Sequence, residues 1–125
     1  NPQEKIAKKT VQETIGIYTE AIRTPKSDLI LLQHKLIEYL YAKEIKVSFF
    51  ILPFHPKMME NKTFVEANKK WGNYIQELKK KYHINILGGT NPNDFGLTEE
   101  DFLDVSHVKR SSMWKLFSKT DKINN

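Results

Sequence analysis

Two side chains have the types and spacing to do chemistry together. They are Asp104 and His107, in Asp101-Phe102-Leu103-Asp104-Val105-Ser106-His107. An imidazole beside a carboxylate is the base half of an acid–base or nucleophilic site. The carboxylate fixes the tautomer and steadies the imidazolium, and the imidazole takes a proton from a hydroxyl. The bland alternative is that Asp104 caps the last helix and His107 is an exposed first-turn residue. His55, in Pro53-Phe54-His55-Pro56, stands where it could meet a substrate group or simply serve a rigid turn. Asn91, in the loop Gly88–Asp94, is the other candidate substrate contact. Asp101 reads as a solvated first-turn carboxylate, and His34 and His83 as structural residues within and at the end of helices. No serine lies on a sharp strand-to-helix turn, so a nucleophile is missing. There is no Cys, and His55, His107 and the nearby carboxylates lack ligand-like spacing. No metal or cofactor is therefore expected.

The elements that must position these residues follow from periodicity. Residues 3–23 form an amphipathic helix with a stripe of Ile6, Val11, Ile15, Tyr18 and Ile22, stopped by Thr24-Pro25. Ser27 is the expected N-cap of a second helix reaching about Lys43, with Leu29, Leu32, Leu36, Ile37 and Leu40 as its buried stripe. Ile30, Leu31, Tyr39 and Tyr41 widen that stripe, so the helix should pack on more than one side. Val47-Ser48-Phe49-Phe50-Ile51-Leu52 lacks clean alternation and is rich in β-branched and aromatic residues, as in a parallel strand covered on both faces. A third helix is expected over Thr63–Tyr82, with Phe64, Ala67, Trp71, Ile75, Leu78 and Tyr82 on one face. A second strand follows at Ile84–Leu87. Thr98 is placed to cap a turn through Glu100-Asp101. A last helix is expected over Lys109–Lys119, with Trp114 in its apolar stripe, and then a frayed tail over 120–125.

The order α-α-β-α-β-α in 125 residues indicates one α/β domain, helix-rich and with few strands. Two apolar parallel strands expect neighbours. The chain thus reads as part of a three-layer, doubly wound parallel sheet whose missing half comes from upstream chain or another subunit. The carboxyl edge of such a sheet is where sites are built. A net charge of +5 is basic without being extreme, and the run Lys79-Lys80-Lys81 reads as a solvated helix face. The aromatic residues fall on apolar stripes rather than interleaving with Lys, which argues against nucleic-acid binding. No apolar run reaches the length of a membrane span, and the polar start Asn1-Pro2-Gln3-Glu4-Lys5 is no signal peptide. The first residue is not Met, as in a chain processed or cut from something longer. Composition leaves the compartment open.

Over about residues 29–119 the series of strand, Pro53-Phe54-His55-Pro56 turn, long helix, short strand, loop and Asp104-x-x-His107 resembles the C-terminal half of an SGNH (GDSL-like) hydrolase. Within that family it looks most like the bacterial proteins associated with O-acylation of cell-envelope polymers. The resemblance implies a flavodoxin-like, SGNH-type fold, His107 as general base and Asp104 as its orienting partner. It also implies an acylated polysaccharide or similar acyl ester as substrate, and an extracytoplasmic location in the bacterial cell envelope. The family's Gly-Asp-Ser nucleophile block is absent from this sequence. Gly89-Thr90-Asn91 is superficially similar to a Gly-x-Asn block, but it lies too close to Asp104 and no Asp directly follows it, so the oxyanion role does not carry over to Asn91. An acyl-enzyme mechanism needs nucleophile, base and oxyanion donors together. The expectation is therefore a C-terminal portion of an esterase or O-acyltransferase, inactive alone. The alternative is a non-enzymatic α/β interaction module, either a degenerate hydrolase fold or a polyanion-binding domain.

Overall fold

A computed structural model describes residues 8–24 and 26–123. Residues 3–7 of the expected first helix, including Ile6, lie outside them, as do Pro25 and the last two residues of the tail. Helix α1 runs over Lys8–Arg23 and buries Val11 and Ile15 against Met58, Phe64 and Val105. Its stripe works as the 3.6-residue period requires, with Tyr18 packed at the edge of the same cluster.

Helix α2, Ser27–Ala42, departs from expectation in two ways. Ser27 is its first helical residue rather than its cap. The backbone N–H groups of Leu29 and Ile30 donate to the Lys26 carbonyl, and Lys26, which is extended, is the cap residue without a side-chain capping bond. The predicted buried stripe is also mostly in solvent: Leu29, Leu32 and Leu36 are 56–64% exposed, and Ile37 alone is buried. Apolar spacing identifies a face that wants covering. It does not say that a covering layer exists, and among the described residues none covers this one.

Strand β1 (Ser48–Ile51) leads through Pro53–His55 into the short helix α3 (Pro56–Met59), then into helix α4 (Lys62–Tyr82) and strand β2 (Asn85–Gly88). The strands are parallel, with Ser48 opposite Asn85 and Ile51 opposite Gly88. They form a two-stranded sheet, and α4 is the crossover that a parallel pair requires. Asn61 caps α4 by accepting the Phe64 N–H at 2.9 Å, and His83 closes its C-terminus in the left-handed region, φ 53°. Phe64, Ala67, Ile75, Leu78 and Tyr82 are buried along one face as expected. Ile75, Leu78 and Tyr82 form a core with Ile37 and Ile84, onto which Val47, Phe49, Ile51 and Trp71 pack from the sheet side and the rim. The chain is thus a helix-rich α/β structure with a small parallel sheet. No helix among the described residues is long and apolar enough to cross a membrane.

Beyond Gly88 the chain is irregular, with 3₁₀ turns at Pro92–Phe95, Glu99–Asp101 and Arg110–Ser112. A third core of Phe95, Leu97, Phe102, Val108 and Leu116 holds it together. The last helix, α5, spans Trp114–Ile123. It starts later than expected because Arg110–Ser112 is a separate turn, and it continues past Lys119 because no Pro or Gly interrupts it. Trp114 is 63% exposed rather than in the core. Leu116 of α5 is fully buried, and a side chain two positions away on a helix points to the far side.

Candidate functional site

Asp104 and His107 sit in a loop closed at its neck. Phe102 and Val108 form an antiparallel bridge. The Leu103 N–H donates to the His107 carbonyl at 2.8 Å and the Lys109 N–H to the Asp101 carbonyl at 2.7 Å. Inside the loop, Asp104 Oδ1 accepts the backbone N–H groups of Ser106 and His107, each at 2.9 Å. A short carboxylate turning its own chain in this way is an Asx-type turn. The same carboxylate meets His107 Nδ1 at 2.8 Å through both oxygens. The neutral imidazole therefore carries its proton on Nδ1, and its Nε2 lone pair is free to accept one. Partial burial pushes the Asp104 carboxyl up, but the Ser106 N–H, the His107 ring and its charge, and the His107 N–H together hold it below its ordinary value. Asp104 is thus ionised at neutral pH, as an orienting carboxylate must be.

Val105, between the two, explains why the loop holds its place. It is buried among Val11, Ile15, Met58 and Phe64, and its carbonyl accepts the His55 N–H at 2.9 Å. His55 lies just past the carboxyl end of β1, so the pair stands near that end of the sheet. The Phe54 N–H donates to the Thr90 carbonyl at 3.0 Å, joining the segment after β1 to the segment after β2. Both side chains of the pair stay open to solvent, Asp104 at 51% and His107 at 67%. An approaching hydroxyl could reach Nε2 without any rearrangement of the loop.

His55 is 1% exposed. Its Nδ1 accepts the Lys57 N–H at 3.2 Å, capping α3, and its ring packs edge-on against Phe102. Burial lowers its pKa; Glu99 and Glu60 push the other way and Lys57 adds to the lowering. Pro53, two residues earlier in the same turn, is fully buried as well. Asn91 also has a local task. Its Oδ1 accepts the Asn93 N–H at 3.1 Å, capping the turn Pro92–Phe95. Neither His55 nor Asn91 bonds to Asp104 or His107.

Asp101 differs most from expectation. It is buried rather than solvated. It accepts Ser112 Oγ–H at 2.5 Å, the Thr98 N–H at 2.8 Å and Lys115 Nζ at 3.0 Å. Burial pushes this carboxyl up, yet the bonds from Ser112, Thr98 and Lys115 and the lysine charge bring it down to about 2. The Thr98-x-x-Asp101 spacing carried a signal, since it is that of a capping box. Nothing in the sequence marked Ser112 and Lys115 as the other partners.

The serines do not complete a site. Ser106 Oγ is 3.3 Å from His107, but from Nδ1, the nitrogen already engaged by Asp104. Ser112 is committed to Asp101. Among the described residues no hydroxyl bonds to His107 Nε2, and no group of three or more His, Asp and Glu could hold a metal ion. Comparison with family models, with curated proteins and with solved structures found no match for the chain.

Proposed function

We propose that this chain is a C-terminal portion of an SGNH-like esterase or O-acyltransferase acting on acyl esters of cell-envelope polymers, built on a doubly wound parallel sheet. In this reading His107 Nε2 is the general base and Asp104 the residue that orients it. The nucleophilic serine and the oxyanion donors come from polypeptide outside these 125 residues. The single observation that supports the reading is the His107 Nδ1–Asp104 contact, 2.8 Å to both carboxylate oxygens, in an exposed loop tied to the end of β1. It fits a base whose orienting half is assembled and whose reacting half faces outward.

The test is hydrolysis of p-nitrophenyl acetate by the polypeptide of the complete reading frame. Activity is expected, falling by roughly 10²–10⁴ in His107→Ala, the usual contribution of a general base. The 125-residue chain alone is expected to give no turnover above its own His107→Ala variant. Undiminished activity of His107→Ala in the complete polypeptide would refute the reading.

A second reading, a polyanion-binding module, is favoured by the exposed lysines of α4, namely Lys62, Lys69, Lys70, Lys79, Lys80 and Lys81. Heparin binding that weakens steeply with salt would support it, and salt-insensitive or absent binding would remove it.

A further inference from the structure

We infer that His55 is an acid-operated latch on the loop that carries Asp104 and His107: its neutral ring holds the loop against α3, and uptake of a proton on Nδ1 releases it. The loop meets this residue at two points. The His55 N–H donates to the Val105 carbonyl at 2.9 Å. The His55 ring packs edge-on against Phe102, with ring centroids 5.3 Å apart, at the neck where Phe102 bridges to Val108. A third link is indirect. His55 caps α3, and α3 supplies Met58, which is fully buried in the same core as Val105.

These links require an uncharged imidazole. Nδ1 accepts the Lys57 N–H at 3.2 Å, so the neutral ring carries its proton on Nε2. A second proton has only Nδ1 to go to. There it sets one N–H against another, removes the side-chain cap of α3 and leaves a buried cation beside Phe102. The ring sheds that cost by turning out into water, which gives up the cap and the Phe102 contact together. Helix α3 is a single turn of four residues, with little hold of its own. When it loosens, the His55 N–H and Met58 move with it, and Val105 loses both of its holds on that side.

The charged groups around the ring do not keep a cation in place. Glu99, in the turn Glu99–Asp101, and Glu60, at the end of α3, favour the charged ring, while Lys57 of α3 opposes it. Glu99 is itself engaged by Lys57 at 3.4 Å. The loop meets the ring with Phe102, which is apolar. Burial outweighs the two carboxylates, so the folded ring takes up its proton less readily than a free imidazole. The released ring titrates near the ordinary value of 6.5. The released form therefore binds more protons, and its population rises as pH falls below that value, by at most about 30-fold at pH 5. The inference concerns where the loop sits, and it holds whether or not Asp104 and His107 are a catalytic pair.

The experiment is amide hydrogen exchange by NMR on the full chain at pH 7.5 and pH 5, corrected for the intrinsic pH dependence of exchange. Protection of the His55, Lys57 and Leu103 amides, which bond to Val105, the His55 ring and His107, is expected to fall by about 5- to 30-fold. The Asn85 and Gly89 amides, bonded to Val47 and Ile51, should change little. His107→Gln removes the other imidazole of the loop and should keep the fall. His55→Asn keeps a capping oxygen for the Lys57 N–H and takes up no proton, so its loop should be equally protected at both pH values. In the His107→Gln chain the amide shifts of residues 103–108 should also titrate together with the His55 ring signal, a readout that needs no variant at residue 55. Unchanged protection at pH 5 would overturn the inference. So would a fall that survives in His55→Asn, an equal fall at Asn85 and Gly89, which would mean that the whole chain unfolds, or loop shifts in His107→Gln that do not follow the His55 ring.

Discussion

Replacing Asp101 by Asn tests whether the carboxylate beneath the Asp104–His107 loop anchors it. The substitution keeps the shape and removes the charge. Ser112 donates to one carboxylate oxygen and the Thr98 N–H to the other, so an amide keeps an acceptor for only one of them, and its nitrogen adds a donor facing the donors of Lys115. The size of the effect follows from the pKa. A carboxyl lowered from 3.8 to about 2 marks an ionised form favoured in the folded state by about 2.5 kcal/mol, at 1.36 kcal/mol for each pH unit. The sign is fixed by linkage. A depressed folded-state pKa stabilises the fold above the unfolded value near 3.8, and that stability is lost as pH falls toward 2. Urea unfolding followed by circular dichroism is therefore expected to show Asp101→Asn less stable by about 2–3 kcal/mol at pH 6, a midpoint drop on the order of 1 M. The gap from the parent chain should narrow as pH falls from 4 and close near 2. A gap that stays constant across that range, or Asp101→Asn as stable as the parent at pH 6, would refute the anchoring role.

His55 provides a second pH dependence in a different window. Its folded pKa is lowered, mainly by burial, so the unfolded chain takes up the proton first and stability falls as pH drops below about 6.5. The pH dependence of urea midpoints between 7 and 5 should flatten in His55→Asn; an unchanged slope would show that His55 does not carry it. Gly88→Ala is expected to cost at least about 2 kcal/mol in the same assay. Gly88 has φ 79°, and a Cβ there would overlap the Ile51 carbonyl oxygen, part of a backbone that cannot step aside. A loss under about 0.5 kcal/mol would mean that the strand ends relax freely.

Periodicity sufficed for the four longer helices, both strands and the buried face of α4, because a 3.6-residue stripe and a stopping Pro are local information; the short helix α3 read as a rigid turn. It also marked Asp104 and His107 as neighbours, since a separation of three residues lets two side chains meet in a turn. Three things depended on contacts distant in sequence. Asp101 changed from a solvated carboxylate to the buried partner of Ser112 and Lys115, eleven and fourteen residues away. His55 changed from a candidate substrate contact to a buried cap, because Phe102 closes over it. Leu29, Leu32 and Leu36 of α2 are exposed, since hydrophobic spacing records that a face is apolar and not what lies opposite. The sequence by itself marked four of the helices and both strands, though not the short helix α3 or the start of α5 at Trp114, and it placed a carboxylate and an imidazole three residues apart. The tertiary structure decided that Val105 is buried and holds the loop of that pair near the end of β1, and that Asp101 is buried among Ser112, Thr98 and Lys115. Burial and the hydrogen bonds between distant residues arise between segments, and no local pattern encodes those.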